Sequence, residues 1–176
     1  MSSRFSYFEE NDITLTGVIH VGAHRGEEVN EYEDLGAKQV IWVEANPDVF
    51  EEMQVALTNA ESTIESHAFQ YAASTEDHAT VKFNRYYGPD AGYLRGNKGC
   101  SSLLKAEGRF EAWYKDTIEV ETITIDTLLE ENDFKVEDFQ LLNMDVQGAE
   151  LMVLRGSEKV LDNVKWVTTE ATWEDP

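Results

Sequence analysis

The sequence predicts an α/β fold, a mostly parallel sheet with helices on both faces. Two stretches and one interruption carry that prediction. Gly17 to Glu44 runs in the order strand, glycine turn, helix, strand, acid, which is the first βαβ unit of a nucleotide-binding sheet. Phe139 to Met144 is a second buried apolar run, closed by Asp145 and followed at once by Gln147-Gly148-Ala149-Glu150 and a helical pattern. Between them, residues 79–125 break the α/β alternation and read as a β-rich insertion. No internal repeat or low-complexity linker divides the chain, so residues 1–176 are expected to form one domain.

Taken in order, Met1 to Asp12 is polar with aromatics at Phe5, Tyr7 and Phe8. It suits an arm packed on the domain, or else a lid over a ligand. Val18-Ile19-His20-Val21 forms the first strand, and Gly22-Ala23-His24-Arg25-Gly26 the turn after it. Val29, Tyr32 and Leu35 recur at threes, so Glu27 to Leu35 forms a helix with one buried stripe, which Gly36 stops. Val40 to Val43 is the second strand and ends in Glu44. Asn46 is a good N-cap and Pro47 a good first helical residue. Val49, Phe50, Met53, Ala56 and Leu57 then fall at helical spacing.

Ile64 to Ala73 reads as a third strand. Its end, Gln70 to Ser74, is expected at the same sheet edge as Gly22 and Glu44, where ligands of parallel sheets sit. There Tyr71 or a neighbour lines an adenine pocket, or Tyr71 packs in the core. Val81 and Phe83 alternate with Thr80, Lys82 and Asn84 as a half-buried strand, Gly88 to Gly99 is a glycine-rich loop, and Glu119 to Ile125 alternates again. This insertion is expected to cover the site and meet the substrate, or else only to cap the sheet. Asp126 is expected to cap a short helix holding Leu128 and Leu129. Leu151, Leu154 and Leu161 mark helical packing, and Lys165 to Thr172 forms the last strand.

The glycine turn limits the ligand. A dinucleotide loop reads G-x-G-x-x-G, and its middle glycine lets a pyrophosphate lie against the backbone. Here the spacing is Gly22-x-x-x-Gly26, with His24 where that glycine would stand, which argues against NAD or FAD. No Gly-Lys-Ser/Thr follows, so a P-loop is excluded. Glu27 and Glu28 open the helix, where a phosphate would want positive charge. A ribose-bearing ligand without phosphate fits better, and S-adenosylmethionine is the common one. Glu44, about 20 residues on, can accept both ribose hydroxyls. The plainer reading is a tight βα turn that binds nothing.

Composition narrows the partners. The formal net charge is −21, so nucleic acid and anionic membranes, which need a basic surface, are not expected as partners. An apolar content of 41% is enough for a true core. The lone Cys100 allows no internal disulfide and suits a reducing compartment, so a cytoplasmic location is expected. The four histidines and one cysteine have no zinc spacing. The N-terminus lacks an apolar signal region, and no run approaches the roughly 18 apolar residues of a membrane span.

The segment LLNMDVQGAELMVLRGSEKVL resembles the signature of the FkbM-type S-adenosylmethionine-dependent methyltransferases. The front half, IHVGAHRGEE to VIWVEANP, is similar to the same family. The likeness runs from Val18 to Glu170. It implies a class I methyltransferase with a Rossmann-like sheet, S-adenosylmethionine as cofactor, and O-methylation of a sugar or small-molecule hydroxyl. By the same resemblance, Gly22, Ala23 and Gly26 line the methionine part of the cofactor; His20 and His24 either contact the ligand there or simply pack. Glu44 holds the ribose, flanked by Ala45 and Asn46, and the Gln70–Ala73 edge, with Ala72, meets adenine. Asp145 stands beside the sulfonium and the acceptor.

His20 departs from the family, which more often has an aspartate there. The chain also stops just past the fifth strand, so the C-terminal strands of the class I fold are expected to be absent. A homodimer through the edge at Trp166–Thr172 is expected in consequence. A hydroxyl acceptor needs a base, and the candidates are Asp145, Glu150, Glu170, His24 and His67. Asp145 is preferred because it closes a buried strand at the ligand edge. Glu150 has a plainer reading as an acid at a helix N-terminus, and His67 as a satisfied strand histidine. Asp145 and Glu170 alone do not define a metal site. Outside the methyltransferases, the competing readings are a non-catalytic cofactor-binding or scaffold protein and an NAD-linked oxidoreductase.

Overall fold

A computed structural model describes residues 5–87, 100–105, 111 and 113–169. After a short helix, α1 (Ser6–Glu10), come β1 (Gly17–Val21), α2 (Val29–Asp34), β2 (Gln39–Val43), α3 (Pro47–Asn59) and β3 (Glu65–Phe69). The middle of the chain holds β4 (Ala72–Ala73), β5 (Thr80–Tyr86) and β6 (Tyr114–Ile123). The last part holds α4 (Ile125–Glu131), a 3-10 turn (Val136–Asp138), β7 (Leu141–Met144), α5 (Glu150–Arg155), α6 (Glu158–Asn163) and β8 (Trp166–Thr169).

The main sheet has five strands in the order β3-β2-β1-β7-β8, all parallel. Parallel strands need crossovers, and with helices on both faces the central strands β1, β2 and β7 are nearly continuous buried runs, while the outer strands β3 and β8 stay partly exposed. Side chains alternate across the sheet. Val18, Val40, Trp42 and Leu141 pack on one face with Phe5, Phe8, Val29, Tyr32 and Met53. Ile19, Val21, Ile41, Val43, Leu142 and Met144 pack on the other with Ile125, Leu128, Leu129, Val153 and Val160. Each such fully buried side chain contributes roughly 1.5–3 kcal/mol. The N-terminal residues act as a packed arm, with the Phe5 ring against Tyr32 and the Phe8 ring against Trp166.

The first face also carries a buried polar chain. Thr168 Oγ1 donates to Asn143 Oδ1 at 2.6 Å, and Asn143 Nδ2 donates to the Tyr32 hydroxyl at 2.8 Å. The hydroxyl meets His20 Nδ1 at 3.2 Å. The chain crosses β8, β7, α2 and β1, so the buried His20, Tyr32 and Asn143 are bonded to one another inside the apolar core, with the half-buried Thr168 at the outer end.

Several expectations change in the folded chain. The run Ile64–Ala73 is not one strand. It breaks at Gln70-Tyr71, and β4 leaves the main sheet to pair in parallel with β6, which pairs antiparallel with β5. These three strands bury Ala72, Phe83 and Val120 in a small core of their own. The strand placed at Glu119–Ile125 begins earlier, at Tyr114. The α4 cap is Thr124, whose hydroxyl accepts the Thr127 N–H. Asp126 instead accepts the N–H groups of Lys159 and Val160 and so caps α6 from a distance. In α5 and α6 the buried residues are Val153 and Val160; of the three leucines expected to pack, Leu154 lies against the core, while Leu151 is 56% and Leu161 37% exposed. A helix stripe depends on axis placement, which the leucine spacing did not reveal. The loop expected at Gly88–Gly99 and the last strand's residues 170–172 lie outside the described residues.

Candidate functional site

In the main sheet the chain leaves β1 for β2 on one side and later returns to β7 on the other. Ligands of open α/β sheets bind outside the carboxyl ends of the strands at such a reversal. Three segments meet there: the glycine turn after β1, Glu44 to Asn46 after β2, and Asp145 to Gly148 after β7. The insertion is fastened on both sides of this edge. Arg85 on β5 makes a two-fold ion pair with Asp116 on β6 and reaches Asp48 in the first turn of α3 at 3.1 Å. The Tyr87 hydroxyl donates to the same Asp48 oxygen at 2.7 Å. On the other side Ser102 Oγ donates to the Val146 carbonyl at 3.1 Å, and Asn84 Nδ2 donates to the Leu103 and Leu104 carbonyls.

The glycine turn is folded inward. The N–H groups of Gly22 and Ala23 both donate to the Val43 carbonyl, and that of Gly26 donates to Ala23. His24 N–H donates to Glu44 Oε2 at 3.0 Å and Arg25 N–H to Glu27 Oε2 at 3.1 Å. Five successive N–H groups are therefore engaged within the protein, and the turn offers no bare amide cradle to a phosphate. Gly22 has a positive φ of 74°, and a Cβ there would collide with the Asp145 carbonyl oxygen. Its glycine lets the ends of β1 and β7 close on each other.

Glu44 is the centre of the arrangement. It is 8% exposed, and its carboxylate accepts the His24 N–H on one oxygen and the Asn46 N–H, at 2.7 Å, on the other. Burial outweighs these bonds and pushes its pKa up to about 7. Asn46 is wholly buried at the N-cap position of α3, yet its side chain makes no capping bond, and among the described residues its amide finds no partner in hydrogen-bond geometry, the Tyr87 hydroxyl being its polar neighbour. His24 turns Nδ1 to Glu27 at 2.8 Å, and among the described residues its buried Nε2 has no partner. An unmet buried polar group costs about 1–3 kcal/mol. Both residues bond through their backbones to one buried carboxylate, that of Glu44.

Asp145 closes β7 beside β1, with its N–H on the Val21 carbonyl and its Oδ1 accepting Gln147 Nε2 at 2.6 Å. Gln147 and Gly148 both have positive φ, which turns the chain sharply into α5. Glu150 accepts the Gly148 N–H at 3.1 Å, a local bond at the start of α5. His20 points into the core, ringed by Tyr32 and Trp42. Ala45 and Ala72 pack on the small core of the insertion. Tyr71 packs against the second face of the main sheet. His67 lies edge-on against Phe134. Glu170 is outside the described residues. Among the described residues no group of three or more His, Cys, Asp and Glu side chains is placed to hold a metal ion, and no helix is long and apolar enough to cross a membrane.

Sequence reasoning missed Asp48, Asn84, Arg85, Tyr87 and Ser102. Their partners lie far along the chain, and no local pattern announces them.

Searches of curated proteins and of solved structures return no match. The family model described as Methyltransferase FkbM domain matches residues 20–175. The match takes in the glycine turn, Glu44, the insertion and the Asp145 turn together, and the chain belongs to the FkbM methyltransferase family.

Proposed function

We propose that this protein transfers a methyl group from S-adenosylmethionine to a hydroxyl oxygen of a sugar or other small molecule, in the cytoplasm. The observation that carries the reading is the buried Glu44 carboxylate at the carboxyl edge of the sheet, held by the backbone N–H groups of His24 and Asn46. A carboxylate there has lone pairs for a ribose diol. The inward glycine turn disfavours a diphosphate and so the NAD-linked alternative. Bound S-adenosylmethionine supplies a methyl group already activated on a positively charged sulfur. The protein's part is alignment, exclusion of water and removal of one proton. Asp145 takes the proton that the acceptor hydroxyl loses as its oxygen gains the methyl group, and Gln147 holds the Asp145 carboxylate for that role. The insertion, fastened at Asp48 and Val146, walls the acceptor side.

Calorimetric titration with S-adenosylhomocysteine, beside NAD, tests the reading. The wild type is expected to bind the first and not the second. Glu44→Ala is expected to weaken binding by about 10–100-fold, the worth of hydrogen bonds to a charged group, with an unchanged circular dichroism spectrum. Asp145→Asn is expected to keep the affinity and lose turnover on hydroxyl acceptors by about 10²–10⁴-fold. Failure of the wild type to bind S-adenosylhomocysteine rejects the cofactor. Binding without turnover on any hydroxyl acceptor favours a non-catalytic binding protein.

A further inference from the structure

His78 lies outside the site, in the turn between β4 and β5, with a left-handed backbone at φ 53°. Its N–H donates to the Thr122 carbonyl at 2.7 Å, which fixes the turn on β6. The ring then reaches two elements at once. Nδ1 lies 2.7 Å from Glu121 Oε1 on β6, and Nε2 lies 2.9 Å from Glu131 Oε1 at the end of α4. A neutral imidazole has one N–H and one lone pair. With a carboxylate on each nitrogen, the neutral ring sets its lone pair against a negative oxygen, whereas the imidazolium donates to both. We propose that His78 is a proton-operated clasp that joins the β5–β6 insertion to α4 when charged and releases one of the two carboxylates when neutral.

The other groups facing the ring agree with this assignment. Asp77, in the same turn, accepts the Thr124 N–H and the Thr127 hydroxyl and adds negative charge nearby. The Tyr71 ring meets the imidazole edge-on, 6.5 Å between centroids. Hydrogen bonds to Glu121 and then Glu131 raise the His78 pKa above its ordinary value. The carboxylates sit on opposite ring nitrogens, so one cation cannot be ligated by all three side chains. The sign follows from linkage. The clasp is fully formed below the unfolded histidine value of about 6.5 and is lost as pH rises through the raised folded value. Tyr71 sits at the step between β3 and β4, so release of the clasp loosens the link between the insertion and the body of the sheet there.

The test is the proton NMR titration of His78 in the whole chain, assigned by its loss in His78→Asn, which tolerates the left-handed backbone. The expected midpoint lies above that of an ordinary histidine and falls in both Glu121→Gln and Glu131→Gln. Thermal melts of wild type and His78→Asn are expected to diverge by about 1–3 °C at pH 6 and to converge above the midpoint. A midpoint at or below the ordinary value overturns the clasp. So does a midpoint indifferent to the two glutamates, or a melting difference that does not change with pH.

Discussion

Glu44 joins stability to binding in one side chain. Its pKa, near 7, stands well above the ordinary carboxyl value of 4.5 because the group is buried. Between those two pH values the folded chain holds a proton that the unfolded chain has lost. Stability therefore falls as pH rises from about 4.5 to about 7 and then levels, by on the order of 3 kcal/mol. Glu44→Gln lacks this loss, so its stability relative to wild type is expected to rise by about that amount between pH 5 and pH 8 in urea unfolding. An equal difference at the two pH values would show that the ionised carboxylate is not penalised. The position of this acid was legible in the sequence, as was that of Asp145, because each ends an apolar run. The unmet Asn46 amide was not, since an Asn before a Pro reads equally well as a helix cap.

One cap that the sequence assigned to its own helix serves another. Asp126 was expected to cap its own helix, but Thr124 does so. Both Asp126 oxygens instead accept N–H groups at the start of α6, while its own backbone N–H donates to the Gly156 carbonyl. Asp126→Ala is expected to lower stability by about 0.5–2 kcal/mol, in the range of lost caps. Asp126→Asn should restore part of it, since its amide oxygen still accepts. Chemical denaturation of the three proteins decides this, and an alanine variant as stable as wild type rejects the cap. The misplaced strand Ile64–Ala73 has a similar origin. Its apolar pattern runs through Gln70-Tyr71, but β4 finds a better partner in β6 than in the main sheet. Local periodicity describes one segment at a time, and partner choice is a comparison between segments.

For the whole molecule, the open question of assembly sits at β8. Trp166 to Thr169 pairs with β7, and among the described residues no strand pairs on its other side. Val167 on this strand is 44% exposed. We propose that a second copy pairs with this edge, since an open strand is a template for another. Light scattering at rising concentration should then show a dimer that Val167→Lys returns to monomer, and a wild type that stays monomeric rejects the pairing. Taken by itself, the sequence determined the α/β class, the place of the glycine turn, the two strand-ending acids and the family likeness. Each is written in contiguous residues, where apolar period and glycine spacing are local physical requirements. Only the tertiary structure decided that the turn's amides face inward and that the His24 and Asn46 N–H groups hold the buried Glu44 carboxylate. It also decided that the insertion is fastened at Asp48 and Val146. Those facts depend on which distant groups come within hydrogen-bonding distance, and burial sets their energetic weight. Neither is encoded in any single stretch of the chain.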